Sequence, residues 1–79
     1  MSTTGVTFSS KGYVYVADTD NDRVQKFDGN GTFITKWGGR GTGNGKFLGP
    51  ASIAVDNNGT RVYIADSGNS RVQVFIANP

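Results

Sequence analysis

One phrase occurs twice in this chain: Tyr15-Val16-Ala17-Asp18, four residues, then Arg23-Val24-Gln25-Lys26-Phe27, returns as Tyr63-Ile64-Ala65-Asp66, four residues, then Arg71-Val72-Gln73-Val74-Phe75. The offset between the copies is 48 residues. A period of this size belongs to stacked architectures, in which one unit cannot bury its own hydrophobic faces and depends on its neighbours. Two units alone imply neighbours beyond the pair.

The length sharpens that inference. A chain of 79 residues makes one small domain, and a domain of this size buries only about 60% of the surface it exposes when unfolded. Small domains compensate with disulfides, metals or oligomerisation. With no Cys and no His, the sequence offers nothing for the first and little for the second. Eight Lys and Arg against six Asp, with no Glu, leave a net charge of +2, too mild by itself to point to nucleic acid or an anionic membrane. Neither a signal peptide nor a run of 18 apolar residues is visible. Localisation stays open, cytoplasmic by default, and no membrane partner is expected.

Within each copy, short runs rich in Val, Ile, Tyr and Phe alternate with clusters of Gly, Asn, Asp and Ser, which is the punctuation of strands and turns. The expected fold is all-β. Strands are predicted at about 5–9, 13–18, 23–28 and 32–37 in the first copy, and at 51–55, 61–66 and 71–76 in the second. Asn30-Gly31 and Asn58-Gly59 supply the positive φ angles that tight hairpins need. The second copy has no counterpart to Phe33-Ile34-Thr35-Lys36-Trp37, so the edge at 71–76 should be open. In 13–17 and 62–65 both alternating sets are apolar or aromatic, as in a sheet covered on both faces. Val16, Val24, Phe27, Ile53, Val55, Ile64, Val72 and Phe75 are the expected core.

The stretch from Gly45-Lys46-Phe47 through Gly49-Pro50-Ala51-Ser52-Ile53-Ala54-Val55-Asp56 and Asn58-Gly59 to Val62-Tyr63-Ile64-Ala65-Asp66 and Arg71-Val72-Gln73-Val74-Phe75 resembles the NHL repeat, a four-stranded blade of β-propellers. The resemblance covers nearly the whole chain. It implies a first blade at 1–37, a Gly-rich connector at 38–50 and a second blade at 51–79 lacking its outer strand. It also implies rings of about six blades. Two blades cannot close such a ring, whereas three identical chains could, through head-to-tail contacts whose rotation divides the circle. A homotrimer is the expected partner state; other ring sizes, or exchange of a strand at the open edge, are the alternatives. A natural fragment and an engineered repeat fit the near-identical copies equally.

The candidate site residues follow from the turns. Asp18-Thr19-Asp20-Asn21-Asp22 looks like the start of a calcium loop, but Arg23 replaces the turn glycine and Gly29 the bidentate Glu. The same fate meets a phosphate-loop reading of 38–46, because Phe47 stands where Ser or Thr is required and no helix follows. No metal and no cofactor is expected. Asp18 with Arg23, and Asp66 with Arg71, should form cross-strand ion pairs that brace the blades, contributing about 0.2 to 1 kcal/mol each if exposed. Connections 19–22, 38–49 and 67–70 should emerge at one end, making Asp20, Asn21, Asp22, Arg40, Asn44, Lys46 and Asn69 the candidate ligand face.

Asn30 and Asn58 also begin glycosylation patterns, which their turns explain. With no His, Cys or Glu, no catalytic constellation is visible. The expected function is a non-catalytic structural or binding module, self-assembled into a propeller. The resemblance also admits an RNA- or protein-binding propeller face, or a fragment of a propeller lyase or lactonase.

Overall fold

A computed structural model describes residues 3–77. Seven strands form two antiparallel sheets, each a meander in which chain order is spatial order. The first sheet holds β1 (Thr3–Phe8), β2 (Val14–Asp18), β3 (Arg23–Phe27) and β4 (Phe33–Gly38). The second holds β5 (Pro50–Val55), β6 (Arg61–Asp66) and β7 (Arg71–Ile76), with no fourth strand among the described residues. The hairpins turn where Gly31 (φ 87°) and Gly59 (φ 70°) take the left-handed conformation that a side chain resists.

The connections at 19–22 and 67–70 are not plain turns. Thr19–Asn21 and Ser67–Asn69 are single 3-10 turns that end on Asp22 (φ 53°) and Ser70 (φ 52°), both left-handed. Such residues reverse the chain within a few positions and deliver Arg23 and Arg71 opposite Asp18 and Asp66 in the ladders.

The sheets pack face to face. Gly5 in β1 approaches β5 so closely that a Cβ there would lie 3.0 Å from the Ser52 backbone. Tyr15, Val24, Phe47, Val62 and Ile64 form the buried core, with Tyr13, Trp37, Ile53, Val55 and Phe75 packed around it. Trp37 meets Tyr15 edge-on at 6.2 Å and Phe75 at 5.5 Å, carrying the core to the outer margin.

The repeat does not put equivalent residues in equivalent environments. Val24 and Ile64 are buried as expected, and Val16, Phe27, Ile53, Val55 and Phe75 are half-buried. Val72 is 64% exposed, against the expectation that it lies inside. The reason is sidedness: the first sheet turns Tyr15, Ala17, Val24 and Lys26 toward the second. The second sheet answers with Val62, Ile64 and Phe75, which sit one residue out of phase with that set. The second sheet's own Tyr63, Val72 and Val74 therefore face away, and so do Val6 and Phe8 of the first.

Candidate functional site

The polar groups gather where the connector crosses the second sheet. Asp66, fully buried at the end of β6, accepts hydrogen bonds from Arg71 Nε at 3.0 Å, Asn69 Nδ2 at 2.9 Å and Gln73 Nε2 at 3.1 Å. The Leu48 backbone N–H also donates to it, at 2.8 Å. Burial pushes this carboxyl up, but the donors from Asn69, Leu48, Arg71 and Gln73 outweigh burial and hold it below its ordinary value. The carboxylate is the hub of the second blade.

The same side chains grip the connector. Arg71 Nη2 donates to the carbonyls of Gly43 at 2.8 Å and Lys46 at 2.9 Å, Gln73 Nε2 donates to that of Lys46 at 2.7 Å, and Gly45 N–H donates to Gln73 Oε1 at 3.0 Å. Asn69 Nδ2 donates to the Gly41 carbonyl at 2.9 Å. Phe47, fully buried, pins the loop to the core, and a Cβ on Gly38 (φ 118°) would strike its ring at 2.7 Å. Glycine there lets the strand leave and the aromatic enter.

The first sheet carries the matching hub. Asp18 is fully buried and accepts from Arg23 Nε at 2.8 Å, Asn21 Nδ2 at 3.1 and 3.3 Å and Gln25 Nε2 at 3.2 Å. Both ion pairs thus place a fully buried carboxylate against a partly exposed Arg, which corrects the picture of exposed surface pairs and makes their loss far more costly.

The candidate ligand-face residues divide by what their side chains do. Asn21 and Asn69 donate to the two hubs, and Asp22 Oδ1 accepts from Gly49 N–H at 2.7 Å, so these three hold the fold together. Lys46 contributes its carbonyl to the connector grip, while its Nζ lies 3.5 Å from the Gly38 carbonyl. Asp20, Arg40 and Asn44 are exposed at the rim. Residues of both signs alternate here, and among the described residues no group of three or more acidic, His or Cys side chains is placed to hold a metal.

Sequence reasoning missed Gln25 and Gln73 as partners of the carboxylates, although their recurrence at the same place in both copies is the signal that could have found them. It also missed a cavity of about 450 Å³ between the sheets at their outer margin, lined by Tyr15, Lys26, Thr35, Trp37, Phe75 and Ala77 among others. Lys26 is buried there with its Nζ 4.1 Å from the Tyr13 ring centroid, and burial, with Lys11 adding repulsion, lowers its pKa. Trp37 Nε1 is, among the described residues, a buried donor with no hydrogen-bond partner.

With two face-packed antiparallel sheets repeating one polar hub, the structure is that of consecutive propeller blades. A family profile described as a six-bladed β-propeller matches residues 4–77, and the chain belongs to that family. Among curated proteins it is similar to NHL repeat-containing protein 3 of Homo sapiens, 40% identical over 67 residues, covering 81% of this chain and 19% of that protein. Peptidyl-glycine alpha-amidating monooxygenase of Mus musculus is 36% identical over 76 residues, covering 91% of this chain and 7% of that enzyme. Protein brain tumor of Drosophila melanogaster is 31% identical over 72 residues, covering 90% and 7%. The chain spans less than a fifth of each of these relatives.

Proposed function

We propose that the chain is a non-catalytic building block, two blades that complete a six-bladed propeller by assembling as a head-to-tail trimer. What carries this reading is the relation between its exposed and its buried faces. Shifting the buried face of the first blade by the repeat, Tyr15, Ala17 and Val24 become Tyr63, Ala65 and Val72, on the side of the second blade that faces away. Shifting the buried Val62, Ile64 and Phe75 back gives Val14, Val16 and Phe27, on the far side of the first blade beside the exposed Val6 and Phe8. The two free faces are thus the two halves of the contact already made inside the chain. A heterologous contact of this kind closes when its rotation divides the circle, and six blades of the family's description take three chains.

The non-catalytic part is supported by the fate of the acids. The sequence has no His, Cys or Glu. The carboxylates of Asp18, Asp22, Asp28, Asp56 and Asp66 accept hydrogen bonds that fix turns and hubs.

The test uses two variants that each spoil one face, Val72→Asp and Phe8→Asp. Each alone should be monomeric with the wild-type circular dichroism spectrum. Mixed in equal amounts, they keep one intact pair of faces and should form a two-chain complex that grows no further. A mixture that stays monomeric, or a single variant that still forms trimers, contradicts head-to-tail assembly.

A further inference from the structure

We infer that Asn30, at the tip of the β3–β4 hairpin, is a site of spontaneous covalent modification: its side-chain amide is lost through a cyclic imide formed with Gly31, leaving an aspartate or an isoaspartate in the turn. The inference concerns turns within one chain and does not rest on assembly.

The sequence holds the pair Asn-Gly at 30–31, 44–45 and 58–59. Glycine leaves the backbone nitrogen after asparagine unshielded by a side chain and free to rotate, so that nitrogen can reach the asparagine Cγ. In the reaction the Gly31 nitrogen gives its proton to hydroxide and attacks Cγ of Asn30. The N–Cγ bond forms, the Cγ–Nδ2 bond breaks, and the amide nitrogen takes up a proton and leaves as ammonia. Water then opens the ring at one of its two carbonyls. Opening at one carbonyl gives aspartate in the original main chain, and opening at the other routes the main chain through the side-chain carbon as isoaspartate. One water is consumed, one ammonia is released, and nothing is oxidised or reduced.

The turns at 30–31 and 58–59 are built alike. Gly31 N–H donates to the Asp28 carbonyl and Gly59 N–H to that of Asp56, both at 3.0 Å. Asp28 Oδ1 accepts from the Asn30 and Thr32 N–H groups at 2.9 Å, as Asp56 Oδ1 accepts from Thr60 N–H at 2.8 Å and Arg61 N–H at 3.1 Å. Threonine follows the glycine in each. Local geometry therefore does not separate the two; their surroundings do. Gly59 is buried, and a Cβ there would lie 2.8 Å from Ser9 Oγ and 3.2 Å from Lys11 Cγ. Ser10 Oγ donates to the Asn57 carbonyl at 3.0 Å, tying the same turn to the first blade. Asn30 and Gly31 are both exposed, and a Cβ on Gly31 would meet nothing within 4 Å. Attack on Cγ requires the glycine N–H to leave its turn bond. Opening at 30–31 breaks the bonds of one hairpin, whereas opening at 58–59 also breaks contacts between blades. Asn44 is exposed but its turn is held, since Gly45 N–H donates to Gln73 Oε1 at 3.0 Å and the Gly43 carbonyl accepts from Arg71 Nη2 at 2.8 Å.

The product alters the hairpin that carries it. Isoaspartate adds a carbon to the main chain between β3 and β4, next to the ladder position where Phe33 stands opposite Phe27 with the rings 5.9 Å apart. Either product brings a second carboxylate into the turn that Asp28 already organises.

The test follows the unmodified chain in mildly alkaline buffer at body temperature, folded and in concentrated urea. Trypsin places the three pairs in separate peptides, residues 27–36, 41–46 and 47–61, so mass spectrometry reads each amide-to-acid conversion independently, and fragment spectra distinguish Asn58 from Asn57. In the folded chain Asn30 should convert at least about tenfold faster than Asn44 or Asn58. In urea Asn30 and Asn58 should convert at similar rates, because both stand in Asn-Gly-Thr. Asn44 or Asn58 keeping pace with Asn30 in the folded chain overturns the proposal. So does a folded chain whose Asn30 stays intact while the chain in urea converts, or a gap between Asn30 and Asn58 that persists in urea.

Discussion

Asp18 and Asp66 occupy the same place in their blades and accept from the same three kinds of side chain, and among the described residues Asp66 alone also holds a backbone N–H of the connector, that of Leu48. That single extra bond makes a quantitative difference testable by substitution. Asp66→Ala leaves the partly exposed Arg71 without its buried carboxylate and removes one of the bonds that hold the connector, and breaking a fully buried pair costs about 3 to 5 kcal/mol, an upper bound for this one. Asp18→Ala should cost less, because no connector N–H among the described residues donates to Asp18. Urea unfolding of the two variants reads the order directly, and an equal or reversed order would show that Leu48 adds nothing. The same carboxylate sets a pH response. Its folded-state pKa is lowered, so its stabilising contribution is complete above the unfolded value of about 3.9 and is lost as pH falls through the lower folded value. Melting temperature should drop steeply below about pH 4 in the wild type, and less steeply in Asp66→Asn. Parallel slopes would contradict the assignment.

At the level of elements, the strands were readable because the two copies reinforce each other. Glycine, asparagine and aspartate punctuate apolar runs at matching places, so the existence and order of the strands among the described residues follow from the sequence. Sidedness did not follow. In a stack both faces of a strand are apolar, so alternation cannot tell which face meets the one neighbour that is present. The pattern therefore assigns Val72 to the core and does not single out Tyr15, Ala17 and Val62, all three of which are buried. The candidate ligand face was harder still, since Asn21, Asp22 and Asn69 look like binding groups until their internal partners are seen. Nor did sequence foresee the 3-10 turns, which rest on a non-glycine residue in the left-handed region. Ser70 holds that conformation at φ 52° and its N–H returns to the Ser67 carbonyl, a bond that glycine can make equally. Ser70→Gly should raise stability by about 0.5 to 1 kcal/mol in thermal melts. A loss would show that the serine side chain supports the turn.

The described residues form two propeller blades whose outward faces are unlike. Its exposed Val6, Phe8, Val72, Val74 and Ile76 are an unusual burden for so small a chain, and large exposed apolar patches mark interaction surfaces. The proposed assembly has each patch meet the counterpart of the face it would have across the internal contact between blades. In the proposed head-to-tail assembly, chain after chain would add in one sense until the rotation closes, and the six blades of the family's description would set that point at three chains. The most direct measurement is the mass of the unmodified chain in solution, by light scattering or native mass spectrometry at micromolar concentration. Three times the 8.4 kDa of one chain is the expected result; a stable monomer, or a dimer that no dilution or mixing alters, would contradict it.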